Sequence, residues 1–121
     1  MAPFTNLIDR ADDSRKRIQE IHPTELKTFS GSTPIFLDVR ELEEFQSGHL
    51  PEALHLPWSQ LDERALPLIP DQDSFIVAYC TVGHRSAIAA DILQGLGYRN
   101  VVSLKGGLNA FRASAELSKV A

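Results

Sequence analysis

Two short runs, PIFLDVR (Pro34 to Arg40) and SFIVAYC (Ser74 to Cys80), most constrain what this chain can fold into. Each is a near-continuous apolar stretch that ends in polar or reactive residues. A strand open to water on one face would alternate apolar and polar residues. A continuous run of this length is how a strand buried on both faces reads, and strands of that kind belong to parallel sheets. Parallel strands need crossover connections, and the segments between the runs supply them. The run Ser86 to Leu96 carries Ile88, Ile92, Leu93 and Leu96 on one helical stripe, and Gly97 follows as a left-handed stop.

The remaining segments extend the alternation. RIQEI (17–21) reads as a strand or a helical turn, and PTELKTF (23–29) as a short helix capped near Thr24. ELEEFQSG is a helical turn closed by Gly48, ALHLP a short strand stopped by Pro57, and WSQLDERALPLI one or two helices broken by Pro67. NVVSLKGG is a strand ending in a turn, and LNAFRASAEL a last helix. The expectation is a single α/β domain over residues 14–121, preceded by a loosely held polar segment, 1–13.

Composition excludes several function classes. The chain has 121 residues, 43% of them hydrophobic, which suits one ordinary domain. A net charge of −4 with scattered Lys and Arg gives no footprint for nucleic acid. No apolar run reaches membrane-spanning length, and the N-terminal stretch lacks the apolar core of a signal peptide. The lone cysteine, Cys80, has no partner for an intramolecular disulfide, which fits a reducing, cytoplasmic setting.

Cys80 closes an apolar strand and stands just ahead of a helix. Ligands of open α/β sheets bind outside the carboxyl ends of the strands. Unpaired N–H groups at a helix start and in the loop before it favour an anion, and the thiolate is the reactive form of cysteine. Arg85 adds a positive charge, and Gly83 lets the backbone curl. A strand-end cysteine is otherwise most often a small apolar packing residue; the flanking Gly-His-Arg chemistry is what favours an active thiol here.

The segment YCTVGHRSAIAADILQGLGYRNVVSLKGGLNAF resembles the active-site half of rhodanese-type sulfurtransferases, with their Cys-x-x-Gly-x-Arg-Ser loop and later Gly-Gly-hydrophobic-x-Ala-aromatic segment. LDVRELEEFQSGHLPEALHLP is similar to the front-half motif of the same family, and the likeness runs from about Ile18 to Phe111. Glu52 stands where the family usually has Gly, and Phe111 where it usually has Trp. The resemblance implies a three-layer fold with a mostly parallel five-stranded sheet and helices on both faces. It also implies transfer of a sulfane sulfur through a Cys80 persulfide, from a donor such as thiosulfate to cyanide, a thiol or an acceptor protein, with no metal or organic cofactor. Two other functions stay open: a phosphatase-like enzyme using the same loop, and a non-catalytic binding module. Four residues between Cys80 and Arg85, rather than five, favour a single sulfur over a tetrahedral phosphate.

The candidate site is then the loop Thr81, Val82, Gly83, His84, Arg85 and Ser86 around Cys80, with Asp38 and Arg40 as support from a neighbouring strand end. Arg85 has two equal readings, holding an anionic donor or bracing the loop on Asp38. Arg40 is expected to pair with Glu44, while Glu41, Glu43 and Glu44 read as a solvated helix face. His84 is expected at the pocket mouth. His49 and His55 read as hydrogen-bonding structural residues and Trp58 as a packing anchor.

Overall fold

The computed structural model of the chain describes residues 6–26 and 33–120, with side chains as far as residue 115. Five strands form one sheet: β1 (Gln19–Ile21), β2 (Ile35–Asp38), β3 (Leu54–His55), β4 (Phe75–Tyr79) and β5 (Asn100–Leu104). Their spatial order is β1-β5-β4-β2-β3, and every neighbouring pair is parallel. The helices are α1 (Leu7–Ser14), α2 (Pro23–Leu26), α3 (Leu42–Gln46), α4 (Leu61–Leu68), α5 (His84–Gly95) and α6 (Gly107–Val120), with a 3-10 turn at Trp58–Gln60. Among the described residues no helix is long and apolar enough to cross a membrane.

The two apolar runs become the paired central strands β2 and β4, in the register Asp38↔Tyr79. Alternate side chains leave opposite faces of the sheet. Leu37, Ile76, Ala78 and Val101 pack with Leu61, Ala65, Ala89, Ala90 and Leu93 of α4 and α5. Val77, Tyr79, Val102 and Leu104 pack on the other side with Leu108 and Phe111 of α6 and Leu26 of α2. Both faces are covered, giving three layers. Ile76, Val77, Ala78 and Tyr79 are all completely buried. Each large side chain among them contributes about 1.5–3 kcal/mol of burial free energy, so β4 anchors the segment that follows it.

Three local expectations change. Residues 7–13 are not loose: Asn6 caps α1 by accepting the Asp9 N–H at 2.9 Å, and Ala11 is completely buried with Ala87 and Ile88 of α5. Packing of α1 on the outer side of α5, invisible in a polar stretch, orders them. Pro67 lies inside α4 rather than breaking it. It falls in the last turn, where the helix ends anyway. Helix α5 begins at His84, two residues before the expected run Ser86 to Leu96, and it is buried nearly all round because it lies between α1 and the sheet. Residues 27–29 of the expected PTELKTF helix lie outside the described residues.

The order of connections places a crevice. After β2 the chain turns outward to β3, and after β4 it turns the opposite way to β5. The carboxyl ends of β2 and β4 therefore form a topological switch point, where open α/β sheets bind ligands.

Candidate functional site

Cys80 follows β4 directly at this switch point and is 1% exposed. Its Sγ accepts the Gly83 N–H at 3.1 Å and the Ser86 N–H at 3.4 Å, and donates to Ser86 Oγ at 3.5 Å. Ser86 Oγ is held in turn by Ser103 Oγ of β5 at 2.8 Å. The loop can close this tightly because Gly83 takes φ +102°, a left-handed conformation that an L side chain resists. His84 and Arg85 thereby enter the first turn of α5, where N–H groups have no intrahelical partner.

The loop's carbonyls point the other way. Leu108 N–H donates to Cys80 O at 2.8 Å, and Asn109 N–H to Thr81 O at 3.1 Å. Two helix starts thus hold one loop: α6 takes the carbonyls behind it, while α5 and the turn before it aim N–H groups at the sulfur. Gly107 makes this approach possible. A Cβ there would lie 2.5 Å from Cys80 O and 2.6 Å from Thr81 O.

Arg85 does not reach Asp38. Its Nη1 and Nη2 donate to Glu44 Oε1 and Oε2 at 2.6 and 2.9 Å, with Thr81 Oγ1 3.4 Å from Nη2. Glu44 also accepts the Glu41 N–H at 3.1 Å. Arg85, and then the Glu41 N–H, hold the Glu44 carboxyl down at about 2 against the opposing effect of burial. Glu44 is therefore no member of a merely solvated face: it spans the crevice from α3 to α5.

Arg40 pairs with Asp38 instead of Glu44. Its Nε and Nη2 donate to the carboxylate at 3.0 and 2.7 Å, its backbone N–H donates to Oδ1 at 3.0 Å, and Nη2 also reaches Gly48 O at 2.7 Å. The reason is desolvation. The Asp38 side chain is completely buried at the strand end, and a buried carboxylate takes the nearest cation, here two residues away. His49 donates to Phe45 O and His55 to Arg40 O, and both rings stack on Phe45. Trp58 packs against the core with Arg10 over its ring at 5.2 Å.

The structure thus brings Cys80, Thr81, Gly83, Arg85 and Ser86 together. Val82 turns its side chain to solvent. Asp38 and Arg40 tie down the neighbouring strand end. His84 Nδ1 sits 3.1 Å from Arg15 Nη2, which also donates to Gly83 O at 3.2 Å. Sequence reasoning missed Glu44, Arg15, Ser103 and the α6 amides. Only the last had a visible signal, the Gly106-Gly107 pair ahead of a helix.

Against known proteins, residues 22–114 match the family model described as rhodanese-like domain. The chain is 32% identical over 80 residues to thiosulfate sulfurtransferase PspE of Escherichia coli, covering 62% of this chain and 77% of that one. It is 38% identical over 119 residues to a tRNA sulfurtransferase of Desulfurococcus amylolyticus, covering 98% of this chain but only 23% of that protein. Among solved structures, a rhodanese-related protein of Thermoplasma volcanium superposes with a TM-score of 0.69 at 29% identity, covering 79% of this chain and 92% of the other.

Proposed function

The chain belongs to the rhodanese-like domain family, a sulfurtransferase family by its relatives, and from that premise we propose that it carries a sulfane sulfur on Cys80. The observation that carries the proposal is the Cys80 thiol receiving two backbone N–H groups from one short loop. Cysteine reacts as the thiolate, and the donors stand where the negative charge of a persulfide would lie.

In the reaction, the Cys80 thiolate attacks the outer sulfur of a donor such as thiosulfate. The Cys80 S–S bond forms as the donor's sulfur–sulfur bond breaks, and the electron pair of that bond leaves with sulfite. The product, Cys80–S–S⁻, is a covalent intermediate. Its terminal sulfur carries the charge, and the loop N–H groups from Thr81 to Ser86 serve it as an oxyanion hole serves oxygen. An acceptor thiolate or cyanide then attacks that terminal sulfur and releases the Cys80 thiolate. Nothing in the cycle needs a metal or organic cofactor. The relatives' names make a small-molecule donor and a sulfur-accepting protein both fitting partners.

Of the two readings of Arg85, bracing is the better supported. Both its terminal nitrogens face the Glu44 carboxylate, so its charge is already met before a donor arrives. Asp38 and Arg40 support the loop indirectly, by fixing the end of β2 beside it.

Incubation with thiosulfate should add the mass of one sulfur atom to the intact protein, and cyanide should remove it. Cys80→Ser should show no gain. A labile sulfur on Cys80→Ser, or aryl-phosphate hydrolysis by the parent as fast as its sulfur transfer, would overturn the reading.

A further inference from the structure

Arg15 stands just after α1, outside the stretch matched by the family model. Every nitrogen of its guanidinium has a partner. Nε donates to Glu20 Oε2 at 3.2 Å, Nη1 to Asp12 Oδ1 at 2.9 Å, and Nη2 to Gly83 O at 3.2 Å, with His84 Nδ1 at 3.1 Å. The two carboxylates set the plane of the fork, and the fork presents its remaining nitrogen to the hinge of the cysteine loop.

This contact is not what docks α1. The helix has its own anchors: Ala11 against Ala87 and Ile88, Arg17 on Asp91 at 2.7 Å, and Gln94 Nε2 on Arg17 O at 2.9 Å. Arg15 acts on the loop. Gly83 is held at both ends, its N–H by Cys80 Sγ and its C=O by Arg15 together with the Ala87 N–H at 3.3 Å, the first bond of α5. A glycine at φ +102° has unusual conformational freedom, so holding its carbonyl also sets the direction of the following peptide and the start of α5. A guanidinium only donates. His84 Nδ1 must therefore accept, which places the proton of the neutral imidazole on Nε2.

We propose that Arg15 is a positioning residue for sulfur transfer: from α1 it clamps the Gly83 carbonyl and the His84 ring, and so keeps the loop N–H groups aimed at the sulfur of Cys80. The inference rests on the sulfurtransferase reading for its catalytic consequence, though not for the clamp itself.

The test compares Arg15→Ala, Arg15→Lys and Arg17→Ala in the full chain, with folding checked by melting curves. Arg15→Ala should lower kcat for thiosulfate-driven sulfur loading by about three- to tenfold, the scale of a modest misalignment at a reacting group, with the donor KM unchanged. Hydrogen exchange of the Gly83 amide should quicken by a similar factor. The 15N spectrum of neutral His84 should pass from a single Nε2–H tautomer to an averaged pair. Arg15→Lys should follow Arg15→Ala, because an ammonium cannot hold Asp12, Glu20 and Gly83 together. Arg17→Ala, which loosens α1 without touching the loop, should leave all three readouts at parent values.

Parent-like exchange and tautomer in Arg15→Ala would overturn the clamp. Equal effects from Arg17→Ala would overturn it in favour of helix docking, and full rescue by Lys in favour of charge alone. Should thiosulfate load no sulfur even on the parent, the exchange and tautomer measurements still decide the clamp, so that failure stays distinct from failure of the proposed function.

Discussion

The loops that follow β2 and β4 lie side by side, and each sets an arginine against a carboxylate, yet they are held in opposite ways. After β2 the work falls to side chains. Arg40 and Asp38 are nearly or completely buried, and the same guanidinium collects Gly48 O while His55 collects Arg40 O. After β4 the main chain holds the loop. The amides of Leu108 and Asn109 take its carbonyls, and its own amides turn to the sulfur. The arginine here, Arg85, is part exposed and pairs across the crevice with Glu44. A loop braced through buried charge is rigid but has nothing left to offer a ligand. A loop braced from behind through its carbonyls keeps its N–H groups free for an anion.

The largest effect should come from breaking the buried pair. Asp38→Asn leaves the Arg40 charge buried without its counterion and should cost about 3–5 kcal/mol of stability in denaturant melts. The protein that stays folded should still load sulfur on Cys80. Complete loss of loading at native-like stability would erase the distinction between the two loops.

Gly107→Ala strikes the other device. Its Cβ would meet main-chain atoms of Cys80 and Thr81 at 2.5–2.6 Å, at φ +64°. The cost should be about 2–4 kcal/mol, from strain and lost contact at one point. Unlike the Asp38 change, this one should abolish loading even in the folded fraction, because the loop loses its backing. Loading at the parent rate would show that the α6 amides do not align the loop.

The crevice pair should have a smaller, pH-dependent effect. Glu44 is held down to about 2 from an ordinary 4.5. A depressed carboxyl contributes stability that is complete above the ordinary value and is lost as the pH falls toward the folded one. The parent's advantage in Tm over Glu44→Gln should therefore persist at pH 6 and shrink between about pH 4.5 and 2. Because the pair is part exposed, its size should be about 1 kcal/mol. A constant difference across that window would mean Glu44 acts through packing rather than charge. Arg85→Ala should slow loading from anionic and neutral donors alike; a loss confined to thiosulfate would restore the donor-binding role.

The smallest effect lies in the connection from α3 to β3. Glu52 is the one non-glycine residue found at positive φ among the described residues, at φ +63°, and it stands where the resemblance leads one to expect glycine. Left-handed backbone costs an L residue about 1–2 kcal/mol, and glycine returns about 0.5–1 kcal/mol of that as unfolded-state entropy. Glu52→Gly should raise stability by about 0.5 kcal/mol, read as a small rise in Tm, with sulfur loading unchanged.

By itself the sequence determined the parts that depend on neighbours along the chain. Continuous apolar runs specify strands covered on both faces, whatever the order in which they pair. Gly83 between a strand and a helical stripe specifies a curled loop with free amides, and Cys80 at its mouth is the group those amides can serve. Tertiary structure alone decided which charges meet. Arg85 and Glu44 are 41 residues apart and Arg15 and His84 are 69 apart; the cysteine loop marks Arg85 and His84, but nothing local marks Glu44 or Arg15 as their partners. Asp38 and Arg40, only two apart, illustrate the same limit: that they choose each other follows from the burial of Asp38, which the sheet imposes. Burial of α1 on α5 likewise turns a polar N-terminal stretch into a helix, because two small alanine surfaces exclude water only when brought together. Local propensity is written in single segments, whereas the strength of a charge pair or an apolar contact depends on how much solvent its partners jointly exclude, and that is a property of the folded chain.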